Sequence, residues 1–172
     1  MPASNSCSGA GTRRSTGSRG DEALRVVLQR VKEASVSVGG ERLCSIGKGL
    51  LALVGVEDGD SEADSDYIAS KISGLRIFPD GDGKMNLTCT EAGGECLAIS
   101  QFTLHGDARK GRRPSFIKAA RSELAGPLME TLLEKIKGTG LAVGTGRFGA
   151  HMQVSLINDG PVTILLDSRK VF

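Results

Sequence analysis

The stretch SLINDGPVTILLD, residues 155–167, places a Gly-Pro step between two runs of strand-forming residues. The runs SLI and VTILL are rich in β-branched and aliphatic side chains, so both predict strands that are buried in a sheet. A hairpin turn at Gly160-Pro161 is one interpretation of the step. The alternative is that the Gly160-Pro161 backbone is itself part of a binding site, because glycine lets the chain approach a ligand closely.

Further strand-forming runs precede this stretch. The run GLLALVGV, residues 49–56, is almost continuously apolar, which is typical of a strand covered on both faces. LRIF followed by PDGDG, residues 75–83, predicts a strand and a hairpin turn. The remaining predicted strands are LRVVLQRV, ASVSV, RLCSI, ECLAISQFTL, LAVGTGRF and HMQVSLI.

Two segments predict helices. Ser61 as N-cap, with Asp64 three residues later, predicts a helix that ends near Gly74. A second helix is predicted between about Ser122 and Lys137, where apolar side chains recur at i+4 spacing before Gly138. Those apolar side chains are Leu124, Leu128, Leu132 and Ile136. Many strands with two helices predict a layered α/β domain, with two sheets and the helices on one side.

Composition disfavours several classes of protein. The 172 residues suffice for one domain with a buried core, and 39% of them are hydrophobic. Aromatic residues make up only 3%, so a stacking platform for single-stranded nucleic acid is not expected. No run has the length of a membrane span, and no apolar stretch follows Met1 as a secretory signal requires. The four cysteines lack CxxC spacing, which favours reduced thiols in a cytoplasmic protein over a metal site or disulfides.

The net charge of +2 is unevenly distributed. Residues 1–22 predict a disordered tail, because they are rich in Ser, Gly and Arg and contain no Leu, Ile, Val or Phe. They show no amphipathic apolar face, so a flexible extension is favoured over organelle targeting. Residues 23–172 are predicted to form a single domain. Residues 109–121 hold six basic and no acidic side chains, and they form either an anion-facing patch or a solvated loop.

Two motif matches fail in their context. GTGRFG, residues 144–149, matches GxGxxG, but a strand-forming run follows where a dinucleotide site needs a helix. Asp80, Asp82 and Glu91 match part of a calcium-binding loop, yet Lys84 and Met85 stand where a ligand and a glycine are required. Neither a dinucleotide site nor a calcium site is therefore predicted.

The common signatures of hydrolases, such as GxSxG and HExxH, are missing from the sequence. Ser100 or Thr103 could act as a nucleophile with His105 or His151 as its base, but the sequence identifies no third member. An enzyme built from this chain would rely on backbone groups or on its substrate.

Six blocks, in order along the chain, resemble the D-aminoacyl-tRNA deacylases. The likeness runs from Leu24 to Asp167, and the joint occurrence of the blocks is specific, whereas SQFTL alone would not be. The blocks are QRVKEASVSV, GKGLLALVGV, LRIFPDGDGKMNL, SQFTL, GRRPSF and GRFGAHMQVSLINDGPVT.

The resemblance implies a three-layer β/β/α fold, a homodimer and a reaction without a cofactor. The implied reaction cleaves the ester between a D-amino acid and the terminal adenosine of tRNA, which is chirality proofreading in translation. It also implies removal of glycine mischarged on tRNA(Ala). The implied partner is aminoacylated tRNA in the cytoplasm, with no role for a membrane. A tRNA-binding or ribosome-associated module without turnover is the alternative.

The resemblance further implies which residues form the site. Ser100, Gln101, Phe102, Thr103 and Leu104 line the pocket, and the backbone amides around Phe102 and Thr103 polarise the ester carbonyl. The 2′-hydroxyl of the terminal ribose helps to activate the attacking water. The Gly160-Pro161 bond is expected to be cis and to enter the partner subunit's pocket. Its carbonyls would exclude an L side chain there, whereas a D side chain or glycine would fit.

The remaining implied contacts surround this centre. Arg30 is expected to brace the Gly-Pro segment, and Asn158 belongs to the same block. Phe148 and Met152 contact the adenosine or, equally, belong to the core. His105 follows SQFTL where the family often has an apolar or small residue, so the pocket rim is expected to differ. Acceptor-stem phosphates would be met by Arg109, Lys110, Arg112 and Arg113.

Overall fold

A computed structural model of the chain describes residues 23–171. The predicted tail, residues 1–22, lies outside the described residues, as does residue 172. The elements in chain order are β1 (Arg25–Val38), β2 (Glu41–Ile46), β3 (Gly49–Gly55), α1 (Glu62–Gly74), β4 (Phe78–Pro79), β5 (Met85–Leu87), β6 (Glu95–Ser100), a 3-10 helix (Phe102–His105), α2 (Ser122–Gly138), β7 (Val143–Thr145) and β8 (Gln153–Asp167). Within this described part, neither long helix has the length and hydropathy needed to cross a bilayer.

Strand β1 is the centre of a sheet that comprises six strands within residues 23–171. Strand β8 runs antiparallel along one edge of β1, from Asp167 opposite Arg25 to Gln153 opposite Ser37. The other edge is shared by β3, which pairs with residues 25–31, and β2, which pairs with residues 34–38. Strands β6 and β7 extend the sheet beyond β3 in parallel pairing. Because three strands pair with β1, one continuous sheet supplies both β layers.

Strand β3 is buried on both faces, as its apolar run predicts. Leu50, Ala52 and Val54 face a core shared with the buried side chains of α1 and α2. Leu51 lies in a second core, which it shares with side chains from β1, β2 and β6, namely Val31, Val36, Ile46, Leu97 and Ile99. The order of the layers is helices, central strands and a second group of strands. The predicted three-layer α/β class is therefore confirmed.

Both predicted helices form close to their predicted limits. The Asp64 carboxylate accepts a hydrogen bond of 2.8 Å from the Ser61 N–H, so the N-cap of α1 is the predicted one. In α2, Leu128, Leu132 and Ile136 are buried, together with Ala125 and Met129. Leu124 remains more than one third exposed, because it lies in the first turn, at the edge of the helix–sheet contact.

The hairpin interpretation of Gly160-Pro161 is wrong, since β8 continues through these residues. Asn158 pairs with Val31 and Thr163 pairs with Gln29, so the four residues between them stand opposite Arg30 alone. The segment 159–162 is thus a large bulge within one strand. The prediction that both flanking runs are buried is also wrong, because Leu156 and Ile157 are 40% and 50% exposed.

Four other predicted strands differ from the structure. LRVVLQRV and ASVSV are one strand, β1, which keeps its pairing with β8 across the intervening residues. ECLAISQFTL is strand only to Ser100, because the Gln101 N–H makes the last bond toward β3 before the chain turns into the 3-10 helix. LAVGTGRF contributes only Val143–Thr145, and its last residues form a turn. The predicted PDGDG hairpin is confirmed by the antiparallel pair β4 and β5.

Replacing Leu132 with Ala tests the core between α2 and the sheet. Leu132 is fully buried, so Leu132→Ala should lower the free energy of unfolding by about 2–5 kcal/mol. Glu134→Ala, on the exposed face of the same helix, should change it by about 0.5 kcal/mol or less. Urea denaturation of both variants measures the difference, and equal losses would contradict the packing described above.

Candidate active site

A cleft of about 480 Å³ opens where β6 ends. Its lining includes Ser100, Gln101 and Phe102, where β6 ends, and Phe148 and Met152, which lie between β7 and β8. The rest of the lining includes Val56, Ala120, Arg121, Ala125 and His151. An adjoining cavity of about 300 Å³ shares Ser100, Phe148 and Met152 with it. The structure therefore brings the SQFTL block and the GRFGAHM block together, although about 45 residues separate them in sequence.

The SQFTL block changes conformation inside the cleft. Ser100 ends β6, and the Gln101 N–H donates to the Val54 carbonyl at 2.6 Å. In the 3-10 helix that follows, the first bonded amide is that of Leu104, which donates to the Gln101 carbonyl. The amides of Phe102 and Thr103 precede it, and no carbonyl of the helix can accept a hydrogen bond from them. Two backbone donors directly after β6 are thus without a partner in the helix.

Thr103 and Leu104 do not line the cleft as the resemblance implies. The Gln101 side chain donates a hydrogen bond to the Thr103 hydroxyl, and the Thr103 side chain lies on the exposed side of the 3-10 helix. Leu104 is half-buried behind the helix, next to Gly55.

The two histidines have different environments. His151 is exposed and lines the same cleft as Ser100. His105 is buried, and burial lowers its pKa, so its imidazole is neutral at pH 7. It lines a separate cavity with Arg25, Arg109 and Lys118, and it is not part of the cleft rim. Among the described residues no Asp or Glu side chain lines the larger cleft, so no Ser-His-acid arrangement is assembled there.

An aromatic pair that the sequence reasoning did not single out stands next to the cleft. Phe102 is 55% exposed and meets Phe116 edge to face, with ring centroids 5.3 Å apart. Ile117 beside it is 91% exposed. Phe116 belongs to the GRRPSF block, which was the signal available in the sequence. Arg121 also lines the cleft, whereas the sequence identifies it only as one of the six basic residues in segment 109–121.

Gly160-Pro161 forms a second cluster with Arg30. The peptide bond is cis. The Arg30 Nε donates to the Asp159 carbonyl at 3.0 Å and lies 3.3 Å from the Asp159 carboxylate. Gly160 has φ +123°, and a Cβ there would stand 2.8 Å from Nη2 of Arg30. Gly160 and Pro161 are exposed and do not line the cleft of their own chain, and neither does Asn158.

The basic segment begins with a closed loop. Asp107 and Ser115 exchange two backbone hydrogen bonds of 2.7 and 2.9 Å, which close the loop between them. The Arg109 guanidinium contacts the Asp107 carboxylate at 2.6 Å and holds the pKa of that carboxyl well below its usual range. The exposed side chains of this loop are Arg109, Lys110, Arg112 and Arg113.

Comparison with known proteins identifies the family that the six sequence blocks resemble. The profile of the D-Tyr-tRNA(Tyr) deacylase family matches residues 27–167. A D-aminoacyl-tRNA deacylase of Symbiobacterium thermophilum is 56% identical over 149 residues, which are 87% of this chain and 99% of the relative. One of Clostridioides difficile is 55% identical over 149 residues, with 87% and 100% covered.

Two solved structures are also similar. One, described as a c-Myc DNA unwinding element binding protein, is 40% identical with a TM-score of 0.78, covering 83% of this chain and 97% of its own. The other, a probable eukaryotic D-amino acid tRNA deacylase, has a TM-score of 0.72 at 18% identity, covering 84% and 99%, which is a likeness of fold.

Fold and site together define a three-layer β/β/α protein with a cleft at the end of a central parallel strand. The chain belongs to the D-Tyr-tRNA(Tyr) deacylase family, which confirms the predicted family.

Proposed function

We propose that this chain hydrolyses the ester bond of D-aminoacyl-tRNA and so acts as a chirality proofreader in translation. The observation that carries the proposal is the cleft itself, in which the SQFTL and GRFGAHM blocks converge. Curated relatives that match 149 residues, 87% of this chain, carry the name of this activity. Because cytoplasmic ribosomes consume aminoacyl-tRNA, we place the activity in the cytoplasm.

In this proposal, backbone amides of the protein and a hydroxyl group of the substrate catalyse the reaction. Water attacks the ester carbonyl, the bond to the ribose oxygen breaks, and that oxygen takes a proton as tRNA leaves. The unpaired amides of Phe102 and Thr103 stabilise the oxyanion, which is worth several kcal/mol in comparable sites, about 3–4 per donor. The ribose 2′-hydroxyl next to the ester helps to activate the water. This fits a cleft whose described lining lacks an acid to complete a triad.

The same proposal gives Gly160-Pro161 a role in a homodimer. Both residues are exposed in the single chain, and Arg30 holds the neighbouring Asp159 by its backbone and its carboxylate. In the dimer the segment enters the partner's cleft, and its carbonyls stand where an L side chain would extend. A D side chain points away from them and glycine has none, so glycyl-tRNA(Ala) is also a substrate. The exclusion acts through repulsion and does not depend on which side chain is offered.

The rest of the tRNA is bound around this centre. Phe148 and Met152 line the same cleft as Ser100, Gln101 and Phe102, and they contact the terminal adenosine. The exposed cations of the loop between Asp107 and Ser115 meet phosphates of the acceptor stem, which positions the substrate without reading its sequence.

A deacylation assay tests the proposal directly. The purified chain should release D-tyrosine from D-tyrosyl-tRNA and glycine from glycyl-tRNA(Ala), and it should spare L-tyrosyl-tRNA. Radiolabelled substrates and mass measurement of the assembly are sufficient readouts. Binding of tRNA without release of the amino acid would instead show that the chain is a tRNA-binding module that does not catalyse deacylation.

Gly160→Ala tests the Gly-Pro segment. The added Cβ would stand 2.8 Å from Arg30 Nη2 at φ +123°, so the segment must shift. A displacement of about 1 Å can cost roughly a hundredfold in rate, and discrimination against L-aminoacyl-tRNA should weaken. Gly83→Ala is the matched control, because Gly83 has φ +77° in the β4–β5 turn with no atom within 4 Å of its Cβ position. Wild-type rates and chiral preference in Gly160→Ala would remove the segment from the mechanism.

Thr103→Ala separates backbone from side-chain catalysis. If amides and the ribose hydroxyl carry the reaction, the variant should keep its rate within roughly tenfold of wild type, a change of about 1.4 kcal/mol. Loss of a nucleophile costs several orders of magnitude instead. A tRNA ending in 2′-deoxyadenosine should be hydrolysed poorly by the wild type. An inactive Thr103→Ala with normal cleavage of the deoxy substrate would contradict this mechanism.

A further inference from the structure

A buried carboxylate lies behind the cleft, directly after β3. Glu57 is 1% exposed, and its Oε2 accepts a 2.7 Å hydrogen bond from the Ala23 N–H. Its Oε1 lies 3.3 Å from the ammonium group of Lys118, and its Oε2 lies 3.7 Å from Nδ1 of His105. Three segments that are distant in sequence therefore meet at one carboxylate.

Two of these segments contribute residues to the cleft. His105 ends the 3-10 helix that begins with Phe102, which lines the cleft. Lys118 precedes Ala120 and Arg121, which also line it. The residues around Glu57 also hold this second segment through the backbone. The Asp58 N–H donates to the Lys118 carbonyl, and the Ala120 N–H donates to the Val56 carbonyl, both at 3.0 Å.

The space for this junction is created by Gly55. A Cβ at Gly55 would stand 2.9 Å from Cβ of Leu104 and 3.0 Å from Nε2 of His105. The 3-10 helix therefore packs directly on the backbone of β3. The His105 ring packs on the Gly55 backbone, and its Nδ1 faces the Glu57 carboxylate.

Two charged side chains, Asp60 and Lys118, lie next to the Glu57 carboxylate. The Asp60 carboxylate accepts the Glu57 N–H at 2.7 Å, and burial, with the charges of Asp64 and Glu57 adding to it, raises the pKa of Asp60 to about 7. Lys118 is the cation that faces Glu57 across the junction. A buried charge without a partner is strongly unfavourable, so Glu57 and Lys118 constrain each other's position.

We infer that Glu57 is a positioning residue for the reaction, which fixes the 3-10 helix of the SQFTL block relative to the segment from Lys118 to Arg121. This inference rests on the proposed function, because the geometry that Glu57 maintains is that of the Phe102 and Thr103 amides. Those amides act on the oxyanion, which is absent from the bound substrate and develops on the way to the tetrahedral intermediate. Loss of Glu57 should therefore lower kcat more than it raises KM.

Glu57→Gln tests the inference with little change in shape. The amide oxygen of glutamine still accepts the Ala23 N–H, but the negative charge that faces Lys118 and His105 is gone. We expect kcat to fall about tenfold or more with KM within roughly threefold of wild type. Asp64→Asn is the matched control, because Asp64 is also a buried carboxylate, and its side chain contacts Ser61, Ser168 and Arg169, none of which lines the cleft.

Amide hydrogen exchange gives a second readout that does not need turnover. In Glu57→Gln, exchange should accelerate in residues 101–106 and 118–121 more than in α1 or α2, and Asp64→Asn should not show this pattern. Equal kcat values for the two variants, or exchange that is unchanged or uniformly faster, would overturn the inference. If the wild type has no deacylase activity, the proposed function fails, and the exchange pattern alone then supports or overturns the positioning role.

Discussion

The pairing of one strand with three others is the constraint on which the rest of this structure depends. Strand β1 accepts β8 along one edge and divides the other between β3 and β2. The division bends the sheet, so that one face packs on the helices and the other encloses a second core. The same pairing leaves four residues of β8 opposite Arg30 alone, which is why a Gly-Pro step can stand out from a strand without ending it.

The cleft follows from where the parallel part of the sheet stops. Strands β3 and β6 are parallel up to Ser100, and beyond it the chain tightens into a 3-10 helix. Backbone donors released from a ladder at the carboxyl end of a parallel strand are available to a ligand, and open α/β sheets commonly bind ligands at this edge. The described lining of the cleft contains no Asp or Glu side chain, which agrees with the missing hydrolase signatures in the sequence.

Buried charge behind the cleft distinguishes this region from the two apolar cores. Glu57, Asp60 and His105 are all nearly inaccessible. The Glu57 carboxylate accepts the Ala23 N–H and faces Lys118, and the Asp60 carboxylate accepts the Glu57 N–H. An apolar cluster of the same size would tolerate small displacements, because dispersion contacts have little directionality. Charges and hydrogen bonds fix distances more tightly, so such a cluster suits a position where loop geometry has to be maintained.

Local patterns in the sequence were sufficient for several features. The Ser61–Asp64 cap, the spacing of Leu128, Leu132 and Ile136, and the apolar run of β3 each depend on neighbours within one element. The resemblance in the SQFTL and GRFGAHM blocks also identified Ser100, Gln101, Phe102, Phe148 and Met152, which the structure brings into one cleft.

Other features depend on contacts between distant segments, and only the tertiary structure decided them. Whether Gly160-Pro161 makes a hairpin or a bulge depends on the register between β8 and β1, which strand propensity does not encode. The 3-10 helix forms because β6 loses its partner after Gln101. Glu57 shows no sequence signal, because its partners Ala23, His105 and Lys118 are 34 to 61 residues away and meet only when β1, β3 and the loop before α2 have packed together.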